Sequence, residues 1–368
     1  MIETRQVVAP WRTGAGESHR EALDALRRFQ QRELLRIGAA DLAGLVELAS
    51  VTSQLSLLAD AIIQATLEIV AVSANVAAAG FAVLAMGKLG GNELNYSSDV
   101  DLLFLARDDG EQHADDCRRL GERLITALTE ATAAGSLYRV DMRLRPWGRV
   151  GPLVPTVEGY WKYLLGHARL WEKQALLRAR PVAGDLQLGA RFLARAEPLL
   201  YGAGEEAIRR EVYGMKQLTE AHLRQAGRTW GEVKLGEGSI RDAEFVVQYL
   251  QLAHGAEHPQ LRTGNTKVAL EQLTELSLLP PDEHRVLSEG YTFLRTVEHY
   301  LQILEYRQTH TLPTAPFELR YLAQRLGFDG SEAADEFVAR YEQHAGAVRA
   351  IYLRHLSGQG QPGQRSPS

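Results

Sequence analysis

At 368 residues the chain is long enough for two or three modest domains with sizeable cores. Apolar residues at 45% and charged residues at 24% exclude wholesale disorder, and a formal net charge of -5 argues against a protein built to grip long nucleic acid. Aromatics at 7%, with abundant Ala, Leu and Gly, point to a mainly helical chain. The one cysteine, Cys117, cannot form an internal disulfide, and no Cys/His group has zinc spacing, so a reducing, cytoplasmic setting is expected.

The first 18 residues hold no long apolar run and do not read as a secretory signal. Residues 18–74 read as helices: Leu23, Leu26, Phe29, Leu34 and Leu35 recur at helical spacing, and Leu55, Leu58, Ala61, Ile62 and Leu67 do so again over 51–71. Residues 69–87 carry no charge and imitate a membrane span. They hold Ser73, Asn75 and Gly80 and run into a polar loop, so a helix end and a short buried strand are expected there, not a membrane segment. Residues 81–86 read as that strand, 87–98 as a glycine-rich loop, 99–105 as a second strand and 111–134 as a helix. Residues 137–145 alternate strictly, with Tyr138, Val140, Met142 and Leu144 on one face and Arg139, Asp141, Arg143 and Arg145 on the other, until Pro146 ends the run. From Thr156 onward only helical patterns are legible, over about 156–165, 169–180, 186–200, 204–226, 239–254, 265–277, 282–309, 316–326 and 331–356. The expected division is a helical segment (1–75), an α/β core (76–185), a helical bundle (186–356) and a disordered Gly/Pro/Gln/Ser tail (357–368). The fold class is α+β and mostly helical.

On a strand, residues i and i+2 share a face, so Asp99 and Asp101 stand side by side roughly 7 Å apart. Two carboxylates this close repel. A divalent cation such as Mg²⁺ relieves the repulsion, taking one or two carboxylates plus substrate phosphates. Asp141 adds a third carboxylate, and three convergent carboxylates can hold two metals that clamp an in-line phosphoryl displacement. A bare Asp-x-Asp is usually a solvated strand face; here it opens a strand after a glycine loop, with the third Asp on a cationic strand face.

The loop Gly87-Lys88-Leu89-Gly90-Gly91 is not a Walker A loop, because Leu follows the lysine. Its glycines permit close backbone approach, and Gly90 and Gly91 could form an anion nest with a short helix starting at Asn92. Six of the 41 cationic residues are lysine, and Lys88 and Lys234 fall in glycine-rich segments, as suits a compact charge meeting a phosphate. Arg143 and Arg145 could meet nucleotide phosphates, or could form a salt-bridge ladder with Asp141. The histidines show no triad or metal-ligand spacing.

Strand, Gly-Gly, short helix, Asp-x-Asp strand and a later Asp-bearing strand together resemble the polymerase-β-type nucleotidyltransferase superfamily. More closely, MGKLGGNELNYSSDVDLLF, YRVDMRLRPWGRVGPLV, WEKQALLRARPVAG and KLGEGSIRDAEFVVQ resemble the glutamine synthetase adenylyltransferase/adenylyl-removing family over most of residues 80–250. That family usually carries two nucleotidyltransferase halves. This chain has one Asp-x-Asp centre and looks like a single half. Asn95-Tyr96-Ser97-Ser98 resembles the adenylyl-removing half, since the other half tends to carry Gly at the position of Asn95.

The resemblance implies Mg²⁺ on Asp99, Asp101 and Asp141, and nucleotide or phosphate contacts from Lys88, Gly90, Gly91, Ser98, Arg143, Arg145 and Lys234. It implies glutamine synthetase as protein substrate, ADP or ATP and phosphate as small partners, and the P-II signal protein as a further partner. The expected reaction is phosphorolytic removal of AMP from adenylyl-tyrosine. The alternatives are ATP-dependent adenylylation, or a non-catalytic module binding glutamine synthetase or P-II. In the second glycine segment, Ser239 is the expected N-cap of a helix with Asp242 at N3, Ile240, Ala243, Val247 and Leu250 forming its buried stripe and Arg241, Glu244, Gln248 and Gln251 its polar one.

Overall fold

A computed structural model describes residues 19–305 and 309–358. The N-terminal 18 residues and the tail beyond Gly358, for which a leader and a disordered segment were considered above, lie outside them. The chain divides into two compact units, residues 1–199 and 200–368.

The first unit opens with α1 (His19–Leu42) and α2 (Leu48–Ala74). α2 buries Val51, Leu55, Ile62, Ile63, Leu67 and Val70, and it ends at Asn75 in the left-handed region. By length and apolarity α2 could cross a membrane, yet 61% of its most apolar window is buried in protein. The uncharged stretch 69–87 is divided between the end of α2, β1 (Phe81–Ala85) and the turn that follows. Next come α3 (Gly87–Gly90), β2 (Val100–Ala106), α4 (Glu111–Thr129), β3 (Val140–Asp141), α5 (Val157–Gly166), α6 (Leu170–Leu176), β4 (Arg180–Gly184) and α7 (Leu186–Leu200).

The four strands form one sheet in the order β3-β2-β1-β4. β1 pairs antiparallel with both β2 and β4, and β2 pairs parallel with β3. Phe81, Val83, Ala85, Val100, Leu102 and Phe104 enter one core with α1, α2 and α4. On the opposite face Leu84 meets α7 at Gly189, where an added Cβ would lie 3.4 Å from the leucine. β2 is therefore buried along its length except at Asp101. Cys117 is buried in α4, and burial, with Asp116 nearby, pushes its thiol up to about 11.

Three expectations are corrected here. β4 was not legible, because Arg180-Pro181 breaks the alternation; as an edge strand it tolerates a proline that donates no ladder bond. The alternating run 137–145 yields a strand of only two residues. Asp141 accepts a hydrogen bond from the Arg143 amide (2.8 Å), which turns the chain out of the ladder. α4 stops at Thr129, ahead of a tight turn in which Thr132 and Gly135 exchange backbone hydrogen bonds.

The second unit comprises α8 (Glu205–Gln225), α9 (Ile240–His254), α10 (Thr266–Glu275), α11 (Pro281–Glu305), α12 (Pro316–Arg325) and α13 (Ala333–Leu356). α13 packs against α8, α9, α11 and α12. Along α9, Ile240, Ala243, Val247 and Leu250 are buried as their spacing predicts, but so are Gln248 and Gln251 of the expected polar stripe. Gln251 earns its place by donating to the carbonyls of Leu261 and Thr263.

Candidate active site

The parallel register sets Asp101 directly beside Asp141, and Asp99 precedes Asp101 by two residues. Neighbours in register share a face of the sheet, so three carboxylates gather at the end of β2 and β3. Each acid is already balanced or confined. Arg139 Nε donates to Asp99 Oδ1 at 2.6 Å, and its guanidinium also reaches the Ser97 carbonyl. Arg143 Nε donates to Asp141 Oδ2 at 2.8 Å. Burial pushes the Asp141 carboxyl up, but the hydrogen bonds and charge of Arg143, helped by Arg149, outweigh it and hold the group below the usual carboxylate range. Arg143 is in turn held charged by Asp141, Asp101 and Asp99. Guanidinium groups thus partner two of the three carboxylates, Asp99 and Asp141. Among the described residues, no group of three or more acidic, His or Cys side chains is gathered tightly enough to hold a metal ion. The donor set itself, hard carboxylate oxygens on one face, is of the chemical kind that Mg²⁺ takes.

The glycine segment works differently from the expectation. Gly87, not Asn92, opens the short helix, and Asn92 instead adopts φ 57° after it. The amides of Gly90 and Gly91 donate to the carbonyls of Met86 and Gly87, so they close the turn and do not form an anion nest. Gly90 packs against protein: an added Cβ would lie 1.7 Å from the Arg178 carbonyl oxygen. Gly87 is the glycine that meets the site. Its φ is +55°, and an added Cβ would lie 2.3 Å from Asp101 Oδ2. Sequence reasoning passed over it, although a glycine directly after an apolar strand was a usable signal. Lys88, beside it, is half-buried.

The loop leading to Asp99 is anchored residue by residue. Glu93 forms an ion pair with Arg178 at 3.2 Å, both buried. The Leu94 amide donates to Ser56 of α2 at 3.1 Å, and the Tyr96 hydroxyl donates to Asp41 of α1 at 3.0 Å. Burial and the Asp41 charge push the Tyr96 phenol well above its ordinary value. Arg180 grips Asp60 through two nitrogens, at 2.7 and 2.9 Å, and donates to the Leu89 carbonyl, tying β4, α2 and the glycine turn together. Ser98, next to Asp99, keeps a buried Oγ with no hydrogen-bond partner among the described residues.

Arg145 turns away from phosphate chemistry. It donates to the carbonyls of Met142 (2.7 Å) and Arg149 (3.2 Å), pinning the turn after β3, and burial followed by the Arg149 charge lowers its pKa. Lys234 belongs to the second unit, where it is half-buried and its carbonyl accepts from the Arg241 amide. In that unit the glycine segment surrounds a residue that sequence reasoning did not single out. Lys216 is wholly buried, paired with Asp242, and donates to the carbonyls of Leu235 and Gly236 and to Ser239 Oγ. Arg349 completes the knot, bridging Glu220 (2.8 Å) and Asp242 (3.1 Å). Ser239 stands at the N-cap of α9 as expected, in extended conformation, but its hydroxyl serves Lys216 and makes no side-chain cap bond. Asp242 instead accepts from the Gly238 amide at 2.8 Å, and an added Cβ on Gly238 would lie 2.0 Å from the Ala345 carbonyl oxygen.

A mixed α+β core that brings three carboxylates to a sheet edge beside a glycine turn is the class of protein in hand. Residues 6–195 match the family model described as glutamate-ammonia ligase adenylyltransferase, and the chain belongs to that family. Residues 213–355 match a second model, GlnD PII-uridylyltransferase. The chain is 38% identical over 342 residues to the bifunctional glutamine synthetase adenylyltransferase/adenylyl-removing enzyme of Streptomyces avermitilis, covering 90% of this chain and 34% of that protein. It is 36% identical over 348 residues to the like-named enzyme of Chromobacterium violaceum, covering 89% and 38%. With that of Methylococcus capsulatus it shares 34% over 360 residues, covering 93% and 38%. The chain thus spans little more than a third of the length of these curated relatives.

Proposed function

We propose that this chain catalyses Mg²⁺-dependent nucleotidyl transfer on glutamine synthetase, in the adenylyl-removing direction. The observation that carries the reading is the register of β2 and β3, which sets Asp101 beside Asp141 with Asp99 on the same face. An oxygen of inorganic phosphate attacks the adenylyl phosphorus, the phosphorus–oxygen bond to the tyrosyl group breaks, and the phenolate takes up a proton. ADP and free tyrosine result. Phosphate arrives as an anion, so no general base is demanded. Asp99, Asp101 and Asp141 would hold Mg²⁺, which when bound supplies positive charge for the phosphoryl oxygens and for a leaving phenolate whose parent has a pKa of about 10.

Arg139 and Arg143 release their carboxylates and turn to the incoming anions. Lys88 and the buried Ser98 hydroxyl contact phosphate from the glycine side, and Arg145 positions the turn that carries Arg143. Lys234, in the second unit, is proposed to bind phosphate beside its own glycines. The matched GlnD model supports the P-II signal protein as a partner of that unit. The relatives' names cover both directions of the reaction, so ATP-dependent adenylylation is the second reading. A paired assay on one preparation separates the two: ADP released from adenylylated glutamine synthetase and phosphate, against label incorporated from ATP. Label incorporation exceeding ADP release reverses the assigned direction, and activity in neither assay refutes catalysis by this chain.

A further inference from the structure

Trp147 sits in the turn that follows β3, six residues after Asp141, and adopts φ 62°. Left-handed backbone is strained for a bulky side chain, and such strain persists only where the surroundings enforce it. Among the described residues the other non-glycine positions with positive φ are Asn75, Asn92 and Ser277, small or polar residues that tolerate it better. The turn is held on several sides. Arg145 pins it to the carbonyls of Met142 and Arg149, the Gly148 amide donates to Arg145, and Gly151 closes so tightly that an added Cβ would lie 2.0 Å from the Pro146 carbonyl oxygen. The Trp147 ring is propped edge-on by Tyr163 (4.8 Å between centroids) and by His167 (4.8 Å). Even so, 51% of the residue is exposed. A large apolar ring held rigidly in the open, on the turn that leads away from a carboxylate–arginine cluster, is costly unless something covers it.

We propose that Trp147 is the stacking platform for the nucleobase of the adenylyl group, and so a specificity-determining residue of the site; this rests on the nucleotidyl-transfer reading above. The chemistry follows from placement. Arg143, four residues before Trp147 in the same turn, donates to Asp141 through both its amide and its Nε at 2.8 Å, so the turn adjoins the acidic centre. A nucleotide whose phosphate is held at that centre carries its base several ångströms away, at the distance an adjoining loop can meet. An indole face takes a purine by stacking, whereas a ribose phosphate offers it nothing to stack on.

The test uses the full chain and two probes that differ only by the base, AMP and ribose 5-phosphate, with affinities measured by calorimetry. Wild type should bind AMP the more tightly. Trp147→Leu, which keeps an apolar body without a π-face, should lose AMP affinity by about 5- to 150-fold, the range that stacking on one aromatic supplies, and leave ribose 5-phosphate unchanged. Trp147→Phe should retain most of the preference. The inference is overturned if Trp147→Leu binds AMP as wild type does, if it loses both probes equally, as a merely structural prop would, or if wild type does not distinguish them. If wild type binds neither probe and also releases no ADP from adenylylated glutamine synthetase, the nucleotidyl-transfer reading falls with it. ADP release with an unchanged Trp147→Leu affinity removes only the platform.

Discussion

Gly87→Ala is expected to separate activity from stability. The added methyl would lie 2.3 Å from Asp101 Oδ2 and 3.2 Å from its Cγ, while ordinary contact begins near 3.4 Å, so the carboxylate must retreat by about 1 Å. The obstructing atom is the end of a side chain that can rotate, so relief comes from Asp101 and not from the backbone. The remaining cost to the fold is the left-handed φ of +55°, about 1–2 kcal/mol for a residue with a Cβ. For a unit of this size that corresponds to a fall in Tm of roughly 2–8 °C. A displacement of about 1 Å in a carboxylate proposed to hold the metal costs on the order of 100-fold in rate. ADP release from adenylylated glutamine synthetase, followed beside thermal melting, measures both. Gly90→Ala is the contrast: its methyl would lie 1.7 Å from a backbone carbonyl that cannot rotate away, so that variant should lose the fold first. A Gly87→Ala protein with wild-type turnover, or one as destabilised as Gly90→Ala, would refute the reasoning.

Asp101→Asn and Asp99→Asn should each abolish transfer while the melting temperature holds, because the Asp99–Arg139 pair is a partly exposed bridge of small worth, about 0–1 kcal/mol; transfer at the wild-type rate would remove the residue from the site. Asp141→Asn should keep the turn, since an amide oxygen still accepts from Arg143, but lose transfer. The folded pKa of Asp141 is depressed, so its stabilisation is present above the unfolded carboxylate pKa of about 4 and is lost as pH falls through the folded value. The melting difference between wild type and Asp141→Asn should therefore close on acidification, and a pH-independent gap would show that its charge does not matter. Lys88→Ala and Lys234→Ala should each weaken phosphate or nucleotide binding by roughly one to two decades, the worth of a charge-assisted contact; an unchanged Kd returns that lysine to a structural role. Lys216→Met should cost the second unit about 3–5 kcal/mol, because Asp242 and three oxygen acceptors lose their buried partner. Urea denaturation checks this, and a midpoint within error of wild type would discount the knot.

The amino-acid sequence by itself determined whatever depends on local periodicity. The helices of the second unit, the buried run Phe81–Ala85 and the shared face of Asp99 and Asp101 follow from spacings of 3.6 and 2 residues, which the backbone imposes wherever the segment lies. Tertiary structure alone decided which distant segments meet. β4 became a strand because β1 offered it an edge, although its own Arg-Pro start argued otherwise. Asp99 and Asp141 are paired with Arg139 and Arg143 because side-chain rotation, not spacing, selects an ion's partner. Gly90 is required by the carbonyl of Arg178 and Gly87 by the carboxylate of Asp101, and both approaches join residues far apart in the chain. Lys216 reads as one cation on an amphipathic helix until the carbonyls of Leu235 and Gly236 and the carboxylate of Asp242 close around it. Periodicity reports which face a side chain takes, but the cost of burying a charge or a Cβ is set by atoms that only the folded chain brings near.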